Sequence, residues 1–451
     1  MRIGRLLQGL VAAALVAPLG GCSEGPAVSA RMEAPAASAA RRLDLLAAQY
    51  VQLQLAIGKH EDGYIDAYYG PKAWATAAHS DPRDVPALRR AVARQRAALA
   101  ELTLPLARDA LLSRRLRFID NMLVAADTRL RMMAGENLRF VDEARGLYAV
   151  EVRPRPLSAF DPVIAAIERL VPPARGSTAT LAERVTALRN ASNVPTARVR
   201  PFFEAAIAAC RARTLAHITM PSDESFTLEL VTGKTWGGYN YYQGGDHSLI
   251  QVNTDQPARL SRGLDLGCHE GYPGHHVLNT LIEVNLVKGR GWIEHSVQPL
   301  FSPQALLAEG SANYGIELAF PAQEKAAFET TTLAPLAGID PALAQRNVAL
   351  AALLEQLADV PTTIAQLYLD GEISRMRAIE LTQHYSLVDA ARAAKSIAFA
   401  EQYRSYVINY SLGQMLVRRY VERVGGADPD KRWAAFAGLL SEPVLPSDLA
   451  P

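Results

Sequence analysis

An excess of charge of one sign is missing from this sequence. Its 451 residues include 47 lysines and arginines against 46 aspartates and glutamates, which leaves a formal net charge of +1. A protein that binds nucleic acid usually carries a clear excess of basic residues to meet the phosphates. The composition therefore gives no support for a polyanionic partner, and we expect no nucleic acid.

Cysteine is also scarce, since the chain has only Cys22, Cys210 and Cys268. Two cysteines beyond Cys22 are too few for a fold that depends on disulfides. One disulfide between them is possible, but a buried free thiol is the simpler interpretation of each. Cys268 is not expected to act as a metal ligand beside His269, because neighbouring helical side chains point about 100° apart.

The apolar run at the N-terminus is too short for a comfortable membrane span. It ends in LGGC at residues 19–22, which resembles the lipobox of bacterial lipoproteins. The resemblance implies a signal peptide over residues 1–21 and a lipid on the thiol of Cys22. Ser23 favours a cell-envelope location at the outer membrane, facing the periplasm. A plain secretory signal with a chance cysteine is the alternative.

Changes of periodicity divide the rest of the chain. Small residues and prolines in 22–40 predict a flexible tether, and an apolar repeat of three or four positions predicts a helical lobe over 41–220. A second lobe, 221–451, begins with SFTLELV and SLIQVNTD, which alternate as strands do, and a Tyr-rich loop joins them. Helical patterns then continue to the end. We predict a mainly α-helical fold, with two helical lobes and a small antiparallel sheet flanking a cleft.

The segment GCHEGYPGHH, residues 267–276, contains three of the nine histidines in the chain. It resembles the zinc-peptidase signature H-E-x-x-H, in which two histidines four residues apart share one face of a helix. Here the residue four positions after His269 is Pro273, so the ordinary spacing is broken. A buried cluster of hydrogen-bonded histidine and glutamate is the alternative to a metal site.

Either His275 or His276 could be the partner of His269. On an ideal helix His275 lies about 120° from His269, whereas His276 lies within about 20° but nearly two turns along the axis. Pro273 clashes with the carbonyl of His269 and Gly274 relaxes the backbone, so a bulge of two residues would bring His275 round. A bulge therefore favours His275, and a regular helix favours His276.

HEGYPGHH, followed by LLAEGSANYGIELAF, resembles the bacterial domain-of-unknown-function family 885, whose pattern is H-E-x-x-P-G-H and then E-G-x-A-x-Y. That family is similar to gluzincin-like zinc metallopeptidases. The resemblance covers roughly residues 225–420. It implies that His269, His275 and Glu309 are zinc ligands and that Glu270 is the general base.

The chemistry of these residue types supports the same roles. Two imidazoles and one carboxylate leave a fourth zinc position for water, whose pKa zinc lowers toward about 7. Glu270 could then take its proton. Manganese or cobalt could occupy the same ligands. Glu309, Asn313 and Glu317 share a helix face by their spacing, so we expect Asn313 to orient a ligand.

Hydrolysis of an amide also needs hydrogen-bond donors for the developing oxyanion. Tyr406 and Tyr410, in YRSYVINYSLGQ, resemble the late tyrosine and Gly-Gln elements of the family and are candidate catalytic residues. Tyrosines at helical spacing are also common in cores and interfaces, which is the alternative. The segments YNYY and SLIQVNTD could offer a strand edge to an extended peptide, or could be plain structural strands.

We therefore expect a zinc-dependent hydrolase with the metal in the cleft, and most simply a metallopeptidase that cleaves short peptides. One alternative is a metal-dependent amidase or esterase with a non-peptide substrate. Another is a non-catalytic lipoprotein that binds zinc or peptides, although such a binder would have no use for Glu270. The expected partners are a peptide or small amide and, through Cys22, the membrane.

Overall fold

The computed structural model describes residues 35–234, 236–255 and 257–449. The predicted signal peptide, residues 1–21, and the predicted lipid site at Cys22 lie outside these ranges. The first helix, α1 (Pro35–Gly58), begins inside the predicted tether. Helical structure therefore starts earlier than residue 41, where we expected it.

Helices form most of the described chain between residues 35 and 220. They are α1, α2 (Lys72–His79), α3 (Val85–Ala100), α4 (Thr103–Leu106), α5 (Ala110–Met133), α6 (Phe140–Tyr148), α7 (Asp161–Leu170), α8 (Leu181–Ala191) and α9 (Val199–Leu215), with short 3-10 turns at Leu157–Phe160 and Thr196–Arg198. Several of these helices begin at a residue whose side chain accepts a hydrogen bond from a backbone N–H of the first helical turn. Asp84 and Asp109 cap α3 and α5, and Thr180 forms a capping box with Glu183 at α8.

The strands are β1 (Ile65–Tyr68), β2 (Ser225–Val231), β3 (Gly238–Gly244), β4 (His247–Asn253) and β5 (Val297–Pro299). The order of the three-stranded sheet is β2-β4-β3, in which β3 runs antiparallel and β2 parallel to the central β4. Both predicted strands are present. The prediction of a Tyr-rich loop is wrong, because these tyrosines form β3. Gly244 and Gly245, both with positive φ, then reverse the chain into β4.

Burial along β4 explains why its strand pattern is so regular. Ser248, Ile250 and Val252 are buried, while the residues between them are half-buried. One face of the strand therefore packs against the protein and the other is accessible.

Helices again dominate after residue 260, which confirms the mainly α-helical fold. They are α10 (Arg262–Leu266), α11 (His275–Ile282), α12 (Pro303–Ala319), α13 (Ala322–Phe328), α14 (Ala334–Ala337), α15 (Pro341–Glu355), α16 (Val360–Leu369), α17 (Arg375–Ser386), α18 (Ala390–Tyr403), α19 (Ile408–Gly425), α20 (Pro429–Ser441) and α21 (Pro446–Leu449). Turns of π-helix lie at Gly267–Gly271, Glu283–Lys288 and Glu329–Leu333, and 3-10 turns at Ile293–Ser296 and Arg404–Val407.

Within the described ranges, no single helix is both long and apolar enough to cross a membrane. Helices α15 and α16 meet such criteria only as a pair, and they are bent by 43° relative to each other.

Two hydrophobic cores hold the helices together. The larger includes Tyr50 of α1 and Phe118 of α5 together with Phe301 and Phe436 from the second half of the chain. The smaller core contains Phe160 and residues of α7 and α8, which pack against helices α15 to α18. Each core contains residues from both sides of the predicted domain boundary near residue 220, and that boundary stays a prediction.

Two long-range links connect distant segments. β1 pairs antiparallel with β5, so that Ile65 lies opposite Pro299. Cys210 of α9 and Cys268 of the π-helical turn form a disulfide with their Cα atoms 5.4 Å apart. The simpler interpretation of these cysteines as free thiols was therefore wrong, because two cysteines distant in sequence are adjacent in the fold.

Candidate metal centre

A break in the motif helix positions the site. Helix α10 continues into the π-helical turn Gly267–Gly271, and α11 begins only at His275. The N–H of Gly274 donates to the carbonyl of Cys268 at 3.0 Å, six residues back rather than the four of an α-helix. Only glycine fits at 274, because a Cβ there would lie 1.8 Å from the carbonyl oxygen of His269. This hydrogen bond therefore spans two residues more than a bond of an α-helix does, as expected for the predicted bulge.

The bulge places His275 beside His269, with the ring centroids 4.7 Å apart. Glu309 of α12 faces both rings. Its Oε2 lies 3.4 Å from Nε2 of His269, and its Oε1 lies 3.8 Å from Nε2 of His275. All three side chains are mostly buried. The structure brings the three predicted ligands together, and their role as ligands stays a prediction.

Asn313 fixes the orientation of the His269 ring. Its Oδ1 lies 3.0 Å from Nδ1 of His269, and its amide nitrogen donates to the backbone carbonyl of Tyr410 at 3.1 Å. The amide nitrogen of Asn313 is already the donor to the carbonyl of Tyr410, so the group that faces the His269 ring is the amide oxygen. An amide oxygen can only accept a hydrogen bond, so Nδ1 of His269 carries a proton. When the ring is neutral, Nε2 has its lone pair on the side of Glu309, which is the orientation that a metal ligand needs.

The donor set fits a small divalent cation. Ligand atoms at about 2.0–2.1 Å from a tetrahedral zinc lie about 3.3 Å from one another, and the contacts of Glu309 with the two rings are 3.4 and 3.8 Å. Oε2 of Glu309 is buried and has no hydrogen-bond donor among the described residues. A buried oxygen without a partner is costly, and a cation at this point would satisfy it.

Glu270 belongs to the same cluster. One ligand atom from each of His269, Glu270 and His275 lies within 4.8 Å of the other two. Burial raises the pKa of Glu270 to about 7, and the charge of Glu309 adds to this rise while that of His269 opposes it. A carboxyl group that gains or loses its proton near neutral pH therefore lies next to the candidate ligands.

The histidines of the metal-free cluster differ in their protonation. Burial opposes protonation of His269, but its contact with Glu309 and the charge of Glu270 outweigh burial and raise its pKa to about 9. Burial, together with the charge of His269, lowers the pKa of His275 to about 4. A single positive charge is thus held between two carboxylates, in the place where a cation would bind.

Tyr406 and Tyr410 have different surroundings. The hydroxyl of Tyr406 donates to Oε1 of Glu309 at 3.0 Å, so this tyrosine positions the carboxylate. The hydroxyl of Tyr410 forms no hydrogen bond with the described residues, and the side chain lines the cavity beside the cluster. Tyr410 is 40% exposed, but desolvation by the cavity wall and the charges of Glu309 and Glu270 raise its pKa, so its hydroxyl remains a donor. The predicted catalytic role fits Tyr410 better than Tyr406.

His276 belongs to a separate, fully buried network. Its Nδ1 lies 2.8 Å from Oγ of Ser248 on β4, and its Nε2 lies 2.9 Å from Oε2 of Glu224. Burial opposes ionisation of Glu224, but hydrogen bonds from His276, Tyr272 and Arg211 lower its pKa to about 2. His276 has no exposed surface and does not line the cavity.

The cluster forms part of the wall of a cavity of about 1780 Å³. Sequence reasoning missed three other residues of this wall, which are Asp66, Tyr239 and Arg262. Tyr239 of β3 donates a hydrogen bond to Oδ1 of Asp66 on β1. Asp66 is exposed to the cavity, but desolvation by the surrounding wall raises its pKa to about 6, although the hydrogen bond from Tyr239 opposes this.

β3 packs directly against the bulge. The Nδ2 of Asn240 donates to the carbonyl of Glu270 at 2.7 Å. Gly238 approaches so closely that a Cβ there would lie 3.1 Å from Oε1 of Glu270. β3 is an edge strand of its sheet, so its outer backbone groups lie near Glu270. The role of this edge in binding an extended peptide stays a prediction.

Comparisons with known proteins leave the family open. No protein-family model matches the chain, and no curated protein matches it. Among solved structures it is similar to "The crystal structure of the putative lipoprotein from Colwellia psychrerythraea", with 14% identity and a TM-score of 0.48. The match covers 79% of this chain and 65% of that one, so this chain spans less than two thirds of its length. A likeness at this level carries no argument about function.

Proposed function

We propose that this protein is a zinc-dependent hydrolase, and most simply a metallopeptidase that cleaves short peptides. The observation that carries the proposal is the meeting of His269, His275 and Glu309 beside a fourth group, Glu270, at a large cavity. The first three side chains would hold the metal. Zinc, when bound, polarises a carbonyl group and lowers the pKa of a bound water. The resemblance of the motifs to family 885 supports the same assignment.

Glu270 is the proton acceptor in this proposal. Its pKa of about 7 in the metal-free protein lies in the range where a general base works best near neutral pH. After accepting a proton from the attacking water, the same carboxyl group can pass that proton to the leaving amine.

Other side chains hold the reacting groups in place. Tyr410, which lines the cavity and whose hydroxyl has no partner among the described residues, would donate to the oxyanion that develops on the scissile carbonyl. Tyr406 and Asn313 fix Glu309 and His269 by hydrogen bonds. These contacts keep the cluster in one geometry before the substrate arrives.

Metal analysis tests the proposed ligands. The chain that starts after Cys22 should contain about one zinc, and His269→Ala and Glu309→Ala should lose it. His247→Ala is the matched control, because it removes a histidine of β4 that bonds Ser225 outside the cavity. A wild-type protein that takes up no zinc, manganese or cobalt would refute the proposal.

Glu270→Gln tests catalysis separately from metal binding. This variant should keep its metal and lose peptide hydrolysis by at least about 100-fold, which is the contribution typical of a general base. Hydrolysis of esters or non-peptide amides without cleavage of peptides would favour the amidase or esterase alternative. A variant that equals wild type in every hydrolytic assay would support the non-catalytic binder.

We also propose that the protein is a cell-envelope lipoprotein. The lipobox at residues 19–22 supports a lipid on Cys22, and the disulfide Cys210–Cys268 fits an oxidising compartment such as the periplasm. Mass spectrometry of the N-terminal peptide should detect the lipid, and Cys22→Ser should move the protein from the membrane fraction to the soluble fraction. Wild-type protein in the soluble fraction would favour the plain secretory signal.

A further inference from the structure

Arg262 is a cation of the cavity wall whose side chain bonds to none of the described residues, although its charge helps to lower the pKa of Glu270. It is half-buried at the start of α10, and it lines the same cavity as His269 and Glu270. It forms no hydrogen bond or ion pair through its side chain with any residue that the structure describes. The two most deeply buried arginines of the described ranges, Arg115 and Arg129, are paired with Glu294 and Glu61. The free guanidinium of Arg262 therefore needs another explanation.

Two consecutive glycines place Arg262 close to the reacting groups. A Cβ at Gly237 would lie 2.9 Å from Nη2 of Arg262, and a Cβ at Gly238 would lie 3.1 Å from Oε1 of Glu270. Side chains at these positions would collide with the guanidinium and crowd the carboxylate. The glycines keep open the space between Arg262 and the candidate metal centre.

More positive charge lies behind Arg262. A second cavity of about 220 Å³ is lined by Arg189, Arg259 and the hydroxyl-bearing Ser192 and Ser261. Arg189 forms no ion pair with the described residues, and Arg259 bonds only the side-chain amide of Asn190. Burial, together with the charges of Arg259, Arg392 and Arg262, lowers the pKa of Arg189 to about 10.

One lysine partly offsets the charge of the acids near these arginines. Lys325 lies 2.8 Å from Glu355 and 3.7 Å from Asp265. Burial raises the pKa of Glu329 to about 8, so this group is largely uncharged at neutral pH. Asp265, Lys325 and Glu329 line both cavities, which places the two cavities next to each other.

We propose that Arg262, with Arg189 and Arg259 behind it, binds a carboxylate of the substrate. The inference rests on the proposed function, because it takes the ligand of this cavity to be the peptide that is cleaved. A guanidinium presents a planar fork that matches a carboxylate through two parallel hydrogen bonds. The substrates are then peptides that carry a free carboxylate on one side of the scissile bond. That carboxylate is either the C-terminus of the peptide or an acidic side chain.

Binding can be measured without turnover in the Glu270→Gln protein loaded with zinc. Three pools of N-acetylated tripeptides serve as probes, one with a free C-terminal carboxylate, one with a C-terminal amide, and one amidated pool with glutamate as its last residue. The midpoint of thermal unfolding, Tm, is measured with each pool at equal concentration. The free-acid pool should raise Tm more than the plain amide pool, as expected for binding that is about tenfold tighter.

Arginine variants of this protein locate the effect. Arg262→Gln should remove the difference between the pools, Arg262→Lys should keep part of it, and Arg200→Gln should keep all of it. Arg200 is the matched control, because it is an exposed arginine of α9 that lines neither cavity. If the glutamate pool behaves like the free-acid pool, the subsite accepts any carboxylate. If it behaves like the plain amide pool, the subsite is specific for the C-terminus.

Equal shifts of Tm with the acid and plain amide pools would overturn the inference, as would a difference that survives in Arg262→Gln. Turnover separates this result from the proposed function. If wild-type protein cleaves none of the peptides while the Glu270→Gln protein still prefers the acid pool, the hydrolase proposal fails and the carboxylate subsite stands. Arg262 could instead act only by adjusting the charge of Glu270. In that case Arg262→Gln changes kcat equally for acid and amide peptides, and the ratio of their KM values stays as in wild type. That result overturns the inference.

Discussion

His275 and His276 are adjacent in the chain but have different surroundings. His275 faces Glu309 in the candidate metal centre, whereas His276 bridges Ser248 and Glu224 in the buried network. His275→Ala should lose the metal and change the stability of the metal-free protein little. His276→Ala should keep the metal, and its free energy of unfolding should fall by about 2–4 kcal/mol, because the buried Glu224 loses one partner.

Plasma mass spectrometry and urea unfolding of the metal-free proteins measure these two outcomes. The assignment of ligands is wrong if folded His276→Ala lacks metal while His275→Ala retains it.

His295 is a buried histidine away from the metal centre. It lies in the 3-10 turn Ile293–Ser296, its ring is 4.5 Å from that of Phe118, and its Nε2 has no hydrogen-bond partner among the described residues. Burial, helped by the charge of Arg115, lowers the pKa of His295 to about 4. The charge of Glu294 acts in the opposite direction. The folded protein therefore keeps this ring neutral, while the unfolded chain protonates it below about pH 6.5.

The free energy of unfolding should therefore fall as the pH decreases from about 6.5 to 4. One proton contributes about 1.4 kcal/mol per pH unit, which gives roughly 3 kcal/mol over this window. His295→Phe should show a shallower dependence on pH by this amount in urea unfolding at several pH values. Identical slopes for the two proteins would mean that His295 is protonated in the folded state.

Single residues show how far sequence reasoning reaches. The meeting of His269, Glu270 and Glu309 in one cluster was predictable because their motifs are local, and their role in a metal site stays a prediction. Asp66 could not be found, because only the pairing of β1 with β5 carries it into the cavity. Arg262 was overlooked for a different reason. An arginine at the start of a helix carries no sequence signal, and only the structure shows that its side chain bonds to none of the described residues.

At the scale of helices, the contact between α12 and α19 determines where Glu309 lies. The two helices cross at Gly310 and Gly413, and a Cβ at Gly310 would lie 2.3 Å from the carbonyl carbon of Gly413. Gly310→Ala should therefore push the helices apart and lower the free energy of unfolding by about 1–3 kcal/mol. Because Glu309 is the preceding residue, zinc affinity should also fall. Urea unfolding and zinc titration measure these effects.

Gly438 of α20 is the matched control for this substitution, because no atom lies within 4 Å of a Cβ placed there. Gly438→Ala should stabilise the protein by up to about 1 kcal/mol through helix propensity and leave zinc affinity unchanged. If Gly310→Ala behaves like Gly438→Ala, the helix crossing does not position Glu309.

The elements differ in how well their sequences predict them. The alternation of β4 is clear because one face of that strand is buried. β3 was taken for a loop because glycines surround its tyrosines, and its pairing with β4 depends on the reversal at Gly244 and Gly245. The bulge in the motif helix was predictable from Pro273, since a proline inside a helical pattern must disturb the backbone.

For the molecule as a whole, the disulfide Cys210–Cys268 joins α9 to the turn that carries His269. It closes a loop with a sequence separation of 58 residues, for which chain entropy predicts a stabilisation of about 4 kcal/mol. Reduction with dithiothreitol should lower the free energy of unfolding by this amount and loosen zinc binding. Denaturation under oxidising and reducing conditions, with zinc titration, measures both.

The double variant Cys210→Ala/Cys268→Ala should already have the lower stability and should not respond to the reductant. A wild-type protein whose stability is the same with and without reductant would show that the bond does not form in solution or does not stabilise the fold.

The residues around the cavity come from nearly the whole length of the chain, from Asp66 on β1 to Tyr410 on α19. If the chain is exported N-terminus first, as the predicted signal peptide implies, the strand with Asp66 leaves the translocation channel long before the helix with Tyr410. The cavity wall cannot be complete until that helix has followed. If the proposed hydrolase activity and the predicted export both hold, the chain crosses the membrane before its cavity is complete, and hydrolysis would begin only at the destination.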